Sequence, residues 1–178
     1  MIILIGGSSH VGKTYFSQKL MEKLNIPYVS IDHLKMGLIR SGMMNLTPED
    51  DDEIRVWMWP FLSEMIKTAI ENNQSFILEG CYIPDNWKTF FDDTYMQHIR
   101  NVFLVMSEKY IRTHFTEVKD YACVIEKRLY DDPDMERLIS CSRMFKNYCI
   151  ANGSNYIEID DEFDEEKILS EILRYVKA

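Results

Sequence analysis

Ile2-Ile3-Leu4-Ile5 runs almost directly into Gly7-Ser8-Ser9-His10-Val11-Gly12-Lys13-Thr14, which has the form G-x-x-x-x-G-K-T. Each fixed position has a physical task in holding a polyphosphate. The glycines let the backbone curl into a nest whose N–H groups point inward at phosphate oxygens, and a helix N-terminus adds its positive end. Lys13 is placed to reach the β- and γ-phosphates, and the Thr14 hydroxyl to ligate Mg²⁺. Ser8, Ser9, His10 and Val11 occupy the variable positions, where backbone N–H groups make the contact. The context agrees. A strand-like apolar run precedes the loop, and Tyr15, Phe16, Lys19, Leu20, Lys23 and Leu24 recur at helical spacing from Lys13 to Leu24. The expected ligands are ATP and Mg²⁺.

Outward from that loop, 178 residues suit one domain, here spanning 1–178, with room for a sizeable core. No apolar stretch approaches the ~20 residues of a membrane helix, so no membrane partner is expected. The short apolar N-terminus has no basic flank and reads as a core strand rather than a signal peptide. Cys81, Cys123, Cys141 and Cys149 form no C-x-x-C pair, which points to buried thiols in a reduced, cytoplasmic setting. A net charge of −9 argues against general affinity for nucleic acid. The charge is unevenly spread. Residues 1–40 hold five basic side chains against Glu22 and Asp32, whereas 155–178 hold eight acids against three bases. An anionic ligand is therefore expected at the N-terminal end.

Strand-like and helix-like segments alternate along the chain. After the first strand and helix, Tyr28–Ile31 reads as a short strand ending at Asp32, and 33–40 as a short helix. Thr47-Pro48-Glu49-Asp50 has a helix start's composition, with Thr47 as cap and Pro48 in the first helical position. A long helix to about Asn72 follows, with a kink or step expected at Pro60. Residues 75–78 form a third strand closed by Glu79-Gly80, 101–106 a fourth, with Ser107 capping the next helix, and 156–159 a fifth before an amphipathic helix over 164–176. Strands too apolar to have a wet face, separated by helices, imply an α/β fold with a parallel sheet covered on both sides. Right-handed crossovers then bring the phosphate loop, Asp32 and Glu79 to one edge.

Glu79 closes an apolar strand, where a carboxylate can hold Mg²⁺ directly or through water, or meet substrate. Asp32 can accept or orient the proton of an acceptor hydroxyl, and equally can cap the helix that follows. Lys35 and Arg40, just beyond it, are candidates for binding an anionic acceptor. Arg128, Arg137 and Arg143 supply guanidinium groups that can neutralise charge on a transferring phosphoryl group, although salt-bridged helix faces would also account for them. The stretch 128–134, Arg-Leu-Tyr-Asp-Asp-Pro-Asp, breaks helical pattern as a closing lid would, and the lid is placed at about 122–137. Trp57, Trp59, Phe61, Met36, Met43 and Met44 fit either core or the walls of an acceptor pocket.

Over nearly its whole length the chain resembles the P-loop small-molecule kinases, the group of nucleoside monophosphate, shikimate and 2-phosphoglycerate kinases. The resemblance rests on Gly7–Thr14, Asp32, Phe76-Ile77-Leu78-Glu79-Gly80, the fourth strand, the arginine-bearing lid region and Ile157-Glu158-Ile159-Asp160. It implies a three-layer fold with a five-stranded parallel sheet in the order 2-3-1-4-5, helices on both faces, a helical lid, and an acceptor-binding insert at about 32–73. Asp32-His33-Leu34-Lys35 is similar to the Asp-x-x-Arg of adenylate kinases with Lys for Arg, and Asp85 stands after Pro84 where those enzymes carry Arg. The implied activity is transfer of the γ-phosphate of Mg·ATP to a small anionic or hydroxylated metabolite, by a monomer or homodimer. Lys13, Asp32 and Arg128 are the expected catalytic residues. A nucleotide-dependent switch, ATPase or scaffold is the competing class, and the absence of N-K-x-D lowers its GTPase form.

Overall fold

The structure is a computed structural model describing residues 1–121 and 134–177. Five strands, β1 (Ile2–Gly7), β2 (Tyr28–Ser30), β3 (Phe76–Glu79), β4 (Ile99–Met106) and β5 (Tyr156–Ile159), form one sheet in the order β2-β3-β1-β4-β5. Every pairing is parallel. The helices are α1 (Lys13–Leu24), α2 (Ile31–Arg40), α3 (Asp51–Glu71), α4 (Asp93–Met96), α5 (Glu108–Tyr121), α6 (Met135–Asn152) and α7 (Glu165–Lys177). The architecture and strand order are those the sequence led us to expect.

Strand alternation sends each side chain to one of two cores. Ile2, Leu4, Phe76, Leu78, Phe103 and Val105 meet Ile54, Met58, Leu62 and Ile66 of α3 and Phe145 and Cys149 of α6. Ile3, Ile5, Ile77, Val102, Leu104 and Met106 meet Phe16 and Leu20 of α1, Ile111 of α5, and Ile168 and Ile172 of α7. β1 lies at the centre and all of its residues are buried, so the loop that follows it rests on the most constrained strand.

Local details differ from the sequence reading where side chains compete for the backbone. α2 begins at Ile31, so Asp32 lies in its first turn rather than at the end of β2, and Ser30 holds the cap position. Thr47 does not cap α3. The Asp50 carboxylate instead accepts from the Thr47 N–H at 2.7 Å and its hydroxyl at 2.9 Å, closing a turn before α3 starts at Asp51. α3 passes through Pro60 as one helix. Proline leaves the Val56 carbonyl without its helical donor, and Val56 is well exposed, so water can take that place. Ser107 does cap α5, accepting from the Tyr110 N–H at 3.0 Å. Of the lid expected at about 122–137, only 134–137 are described. Asp134 caps α6 by accepting from the Arg137 N–H at 2.7 Å, which places Arg137 in that helix's first turn.

Candidate active site

The phosphate loop connects β1 to α1. Gly7 has φ 126°, and a Cβ there would come within 1.9 Å of the Leu104 carbonyl oxygen on β4, so the close approach of the two strands requires glycine. Gly12, with φ 88°, is the left-handed residue from which α1 starts, and His10 has φ 59°. Such turns aim successive N–H groups inward. Ser8 is buried and tethered from behind. The Ser142 hydroxyl of α6 donates to Ser8 Oγ at 2.9 Å and accepts from the Met106 N–H at 2.9 Å. Lys13 is also buried, its Nζ donating to the Ser8 carbonyl at 2.7 Å.

Ile5, Glu79 and Ser30 are register partners across β1, β3 and β2, so their side chains leave the sheet on the same face, the one that α1 covers. There the Thr14 hydroxyl donates to Glu79 Oε1 at 3.2 Å. Glu79 is only 1 % exposed. A hydroxyl and a carboxylate in contact form a hard-oxygen donor pair of the kind Mg²⁺ takes alongside water and phosphate oxygens. Among the described residues no group of three or more His, Cys, Asp or Glu could hold a metal on its own. Beside Glu79, the buried Ser30 hydroxyl has no hydrogen-bond partner among the described residues.

A second set of contacts extends from Asp32. Lys35 pairs with Asp32 Oδ1 at 3.0 Å and donates to the Tyr82 hydroxyl at 2.7 Å, with its Nζ 4.8 Å from that ring's centroid. Tyr82 donates to Asp51 Oδ1 at 2.8 Å, and Arg137 donates to Asp51 Oδ2 at 2.9 Å. The contacts thus link α2, the loop after β3, the start of α3 and the start of α6. Burial, reinforced by the nearby Cys81, Asp32 and Asp51, raises the Tyr82 hydroxyl's pKa and keeps its proton available to donate. Burial and then the Asp32 charge push the Cys81 thiol up to about 12, with Lys13 pulling the other way and Asp51 adding to the rise.

The remaining candidates are placed differently. Arg40 is exposed at the end of α2, about 140° around the helix from Lys35, and pairs with no described residue. Arg143 donates to Glu108 Oε2 at 2.8 Å, while Arg112 holds Oε1 at 2.9 Å. Hydrogen bonds from those two arginines lower the Glu108 pKa. Arg128 lies outside the described residues. Of the aromatic and methionine candidates, Trp59 and Met44 are core, whereas Trp57, Phe61 and Met43 are exposed. An open groove of about 620 Å³ lies beside Trp57 and Val56, lined also by Asn45, Leu46, Asp52 and Glu53. Sequence reasoning missed Tyr82 and Asp51. Tyr82 follows the strand-end Glu79-Gly80 and stood in plain view, but nothing local shows that its hydroxyl meets Lys35.

Against solved structures, the chain matches a gluconokinase from Sinorhizobium meliloti 1021 (14 % identity, 98 % of this chain and 90 % of that one, TM-score 0.54). It matches a shikimate kinase from Aquifex aeolicus vf5 (17 %, 99 % and 96 %, TM-score 0.54). It also matches a deoxyadenosine kinase from M. mycoides (16 %, 99 % of both chains, TM-score 0.58). The chain has the fold of the P-loop small-molecule kinases. The likeness runs end to end through the P-loop fold at a sequence identity that carries architecture alone. No family model matches the sequence, and neither does any curated protein.

Proposed function

We propose that this P-loop protein transfers the γ-phosphate of Mg·ATP to a small anionic or hydroxylated metabolite. The observation that carries the proposal is the meeting of Thr14, next to Lys13, with Glu79 at the ends of β1 and β3, with Asp32 joined to the loop after β3 through Lys35 and Tyr82. The P-loop Gly7–Thr14 would hold the triphosphate, with Lys13 turning from the Ser8 carbonyl to the β- and γ-phosphate oxygens. Thr14 and Glu79 would hold Mg²⁺, which when bound neutralises phosphate charge. Asp32, fixed by Lys35, would orient the acceptor hydroxyl and take its proton. Arg128 and Arg137 are proposed to close over the transferring group, Arg137 leaving Asp51 to do so. Catalysis would consist mainly of positioning and charge neutralisation. The names of the structural neighbours are those of small-molecule kinases, which supports the reading. A cytoplasmic setting supplies both Mg·ATP and reducing conditions for the thiols, and no described helix is long and apolar enough to cross a membrane.

A thermal-shift series with ATP, with and without Mg²⁺, tests the proposal. At about 100 times the dissociation constant, a ligand of the native state adds about 2.7 kcal/mol of stability. Stabilisation by Mg·ATP that Lys13→Ala removes is the expected result. No shift at millimolar nucleotide would refute a nucleotide site.

A further inference from the structure

Resting on the kinase reading, we infer that Ser142 of α6 is a positioning residue for nucleotide binding. It anchors the phosphate loop at Ser8, so that Lys13 can turn from the Ser8 carbonyl to phosphate without the loop following. The gap that Ser142 fills is set by strand geometry. N–H groups along a strand alternate between its two sides. The Phe103 N–H of β4, and the Ser107 N–H just past its end, donate to the Asn155 and Ile159 carbonyls on the β5 side. The Met106 N–H therefore points the other way, toward β1, which has already ended at Gly7. Ser142 Oγ stands there and accepts from it at 2.9 Å.

The same oxygen donates to Ser8 Oγ at 2.9 Å, across 134 residues of chain. A hydroxyl can accept and donate at one atom, which is what this place requires. Ser8 is thereby fixed twice, since its own N–H donates to the Leu104 carbonyl of β4 at 3.1 Å. The support behind it is firm. α6 places Leu138 and Ile139 in one core and Phe145 and Cys149 in the other, and Ser142 between them is 2 % exposed. Two features of the loop make such an anchor useful. Lys13 donates to the Ser8 carbonyl at 2.7 Å and has to give that bond up to reach phosphate oxygens. His10 holds φ 59°, a backbone conformation that persists in a non-glycine residue only where its surroundings over-determine it. With Ser8 fixed from behind, less ordering is left to do when phosphate binds. Ser142 acts through Ser8 and needs no contact of its own with nucleotide.

The test is isothermal titration calorimetry of the full chain with Mg·ATP, run beside thermal unfolding without nucleotide. Ser142→Ala should raise the Mg·ATP Kd at least about tenfold, and Ser142→Thr, which keeps the hydroxyl, should stay within about threefold of wild type. Phe145→Leu loosens the core of the same helix without touching Ser8. It should lower the melting temperature while the Kd changes less than about twofold. A double-mutant cycle reads the contact itself. Ser8→Ala should weaken binding as Ser142→Ala does, and the two together should bind less than about threefold more weakly than either alone. A wild-type Kd in Ser142→Ala, or an equal loss of affinity in Phe145→Leu, overturns the inference. Should Ser142→Ala fail to fold, Ser8→Ala decides from the loop side, and a wild-type Kd there overturns it as well. A wild-type chain that binds no Mg·ATP refutes the kinase reading. One that binds it equally well with and without the Ser142 hydroxyl refutes only the role of Ser142.

Discussion

Thr14 and Glu79 are 65 residues apart in the chain, yet the threonine hydroxyl donates to the glutamate carboxylate across 3.2 Å. The contact exists because β3 pairs with β1 in a register that sets Glu79 opposite Ile5, just before the phosphate loop. It holds a carboxylate in a position from which water is almost excluded. Burying a charge is unfavourable for folding unless its partners compensate, so stability and metal binding make different demands on this residue.

Glu79→Gln separates those two roles. The amide keeps the shape and can still accept from Thr14, while the negative charge is lost. Folding stability without nucleotide is expected to stay within about 1 kcal/mol of wild type or to rise. The Mg²⁺ concentration needed for half-maximal stabilisation by ATP should increase at least about tenfold, the loss of one charged ligand's contribution of about 1.5 kcal/mol or more. Urea unfolding and a Mg²⁺ titration by thermal shift provide the two readings. A variant with wild-type Mg²⁺ dependence would take Glu79 out of the metal site.

Two glycines of the same loop should respond unequally to alanine. At Gly7 the added Cβ meets backbone, the Leu104 carbonyl oxygen at 1.9 Å, and β1 must separate from β4 to admit it. At Gly12 the nearest atoms are ring carbons of Phe16 and Phe163 at 3.5 Å, so only the left-handed backbone opposes the change. Gly7→Ala is expected to cost about 3 kcal/mol or more, and Gly12→Ala about 1–2 kcal/mol. In a chain of this size those correspond to melting temperatures lower by about 6–12 °C and about 2–8 °C. Equal losses would mean that β1 and β4 are less closely packed than described.

Tyr82→Phe tests the bridge between Lys35 and Asp51. Without the hydroxyl, Lys35 keeps Asp32 but loses a partner in a buried position, at a cost of about 1–3 kcal/mol. A double-mutant cycle with Asp51→Asn should give a coupling of about 0.5–3 kcal/mol in urea unfolding. Effects that simply add, within about 0.5 kcal/mol, would show that the bond is not formed in solution.

Burial pushes the thiols of Cys81 and Cys149 up to about 12 from an ordinary value of 9.0. The folded chain therefore binds these protons more tightly than the unfolded chain. Their contribution to stability is complete below pH 9 and falls as pH rises toward 12, because unfolded thiols ionise first. At pH 8 the folded-state thiolate fraction should be about 1000-fold lower than in urea, and iodoacetamide should modify both sites correspondingly slowly. Peptide mapping of the alkylated protein distinguishes Cys81 and Cys149 from the other cysteines. Rapid native labelling of Cys81 would mean that its thiol is ionised.

α1 and β5 were legible to the residue because a 3.6-residue apolar period and a short strand with Ile157 and Ile159 in alternation each need only their own sequence. The strand order came with the kinase resemblance, and the glycines and Lys-Thr pair of the loop pointed to its phosphate chemistry. Asp32 was read at a strand end because β2 is a three-residue edge strand whose last apolar residue, Ile31, is taken into α2. Thr47 lost its capping role to a carboxylate three residues away, a competition that propensities do not resolve.

What the sequence determined alone was the alternation of elements and a loop of G-x-x-x-x-G-K-T form between β1 and α1, since both arise from neighbours in the chain. Which described charges meet one another was decided only by tertiary structure. In the sequence Lys35 and Arg137 read as single cations, and folding sets Lys35 against Asp32 and Tyr82 and Arg137 against Asp51. Charge is read residue by residue, but neutralisation depends on distance in space, and the distances here span 47 and 86 residues of chain.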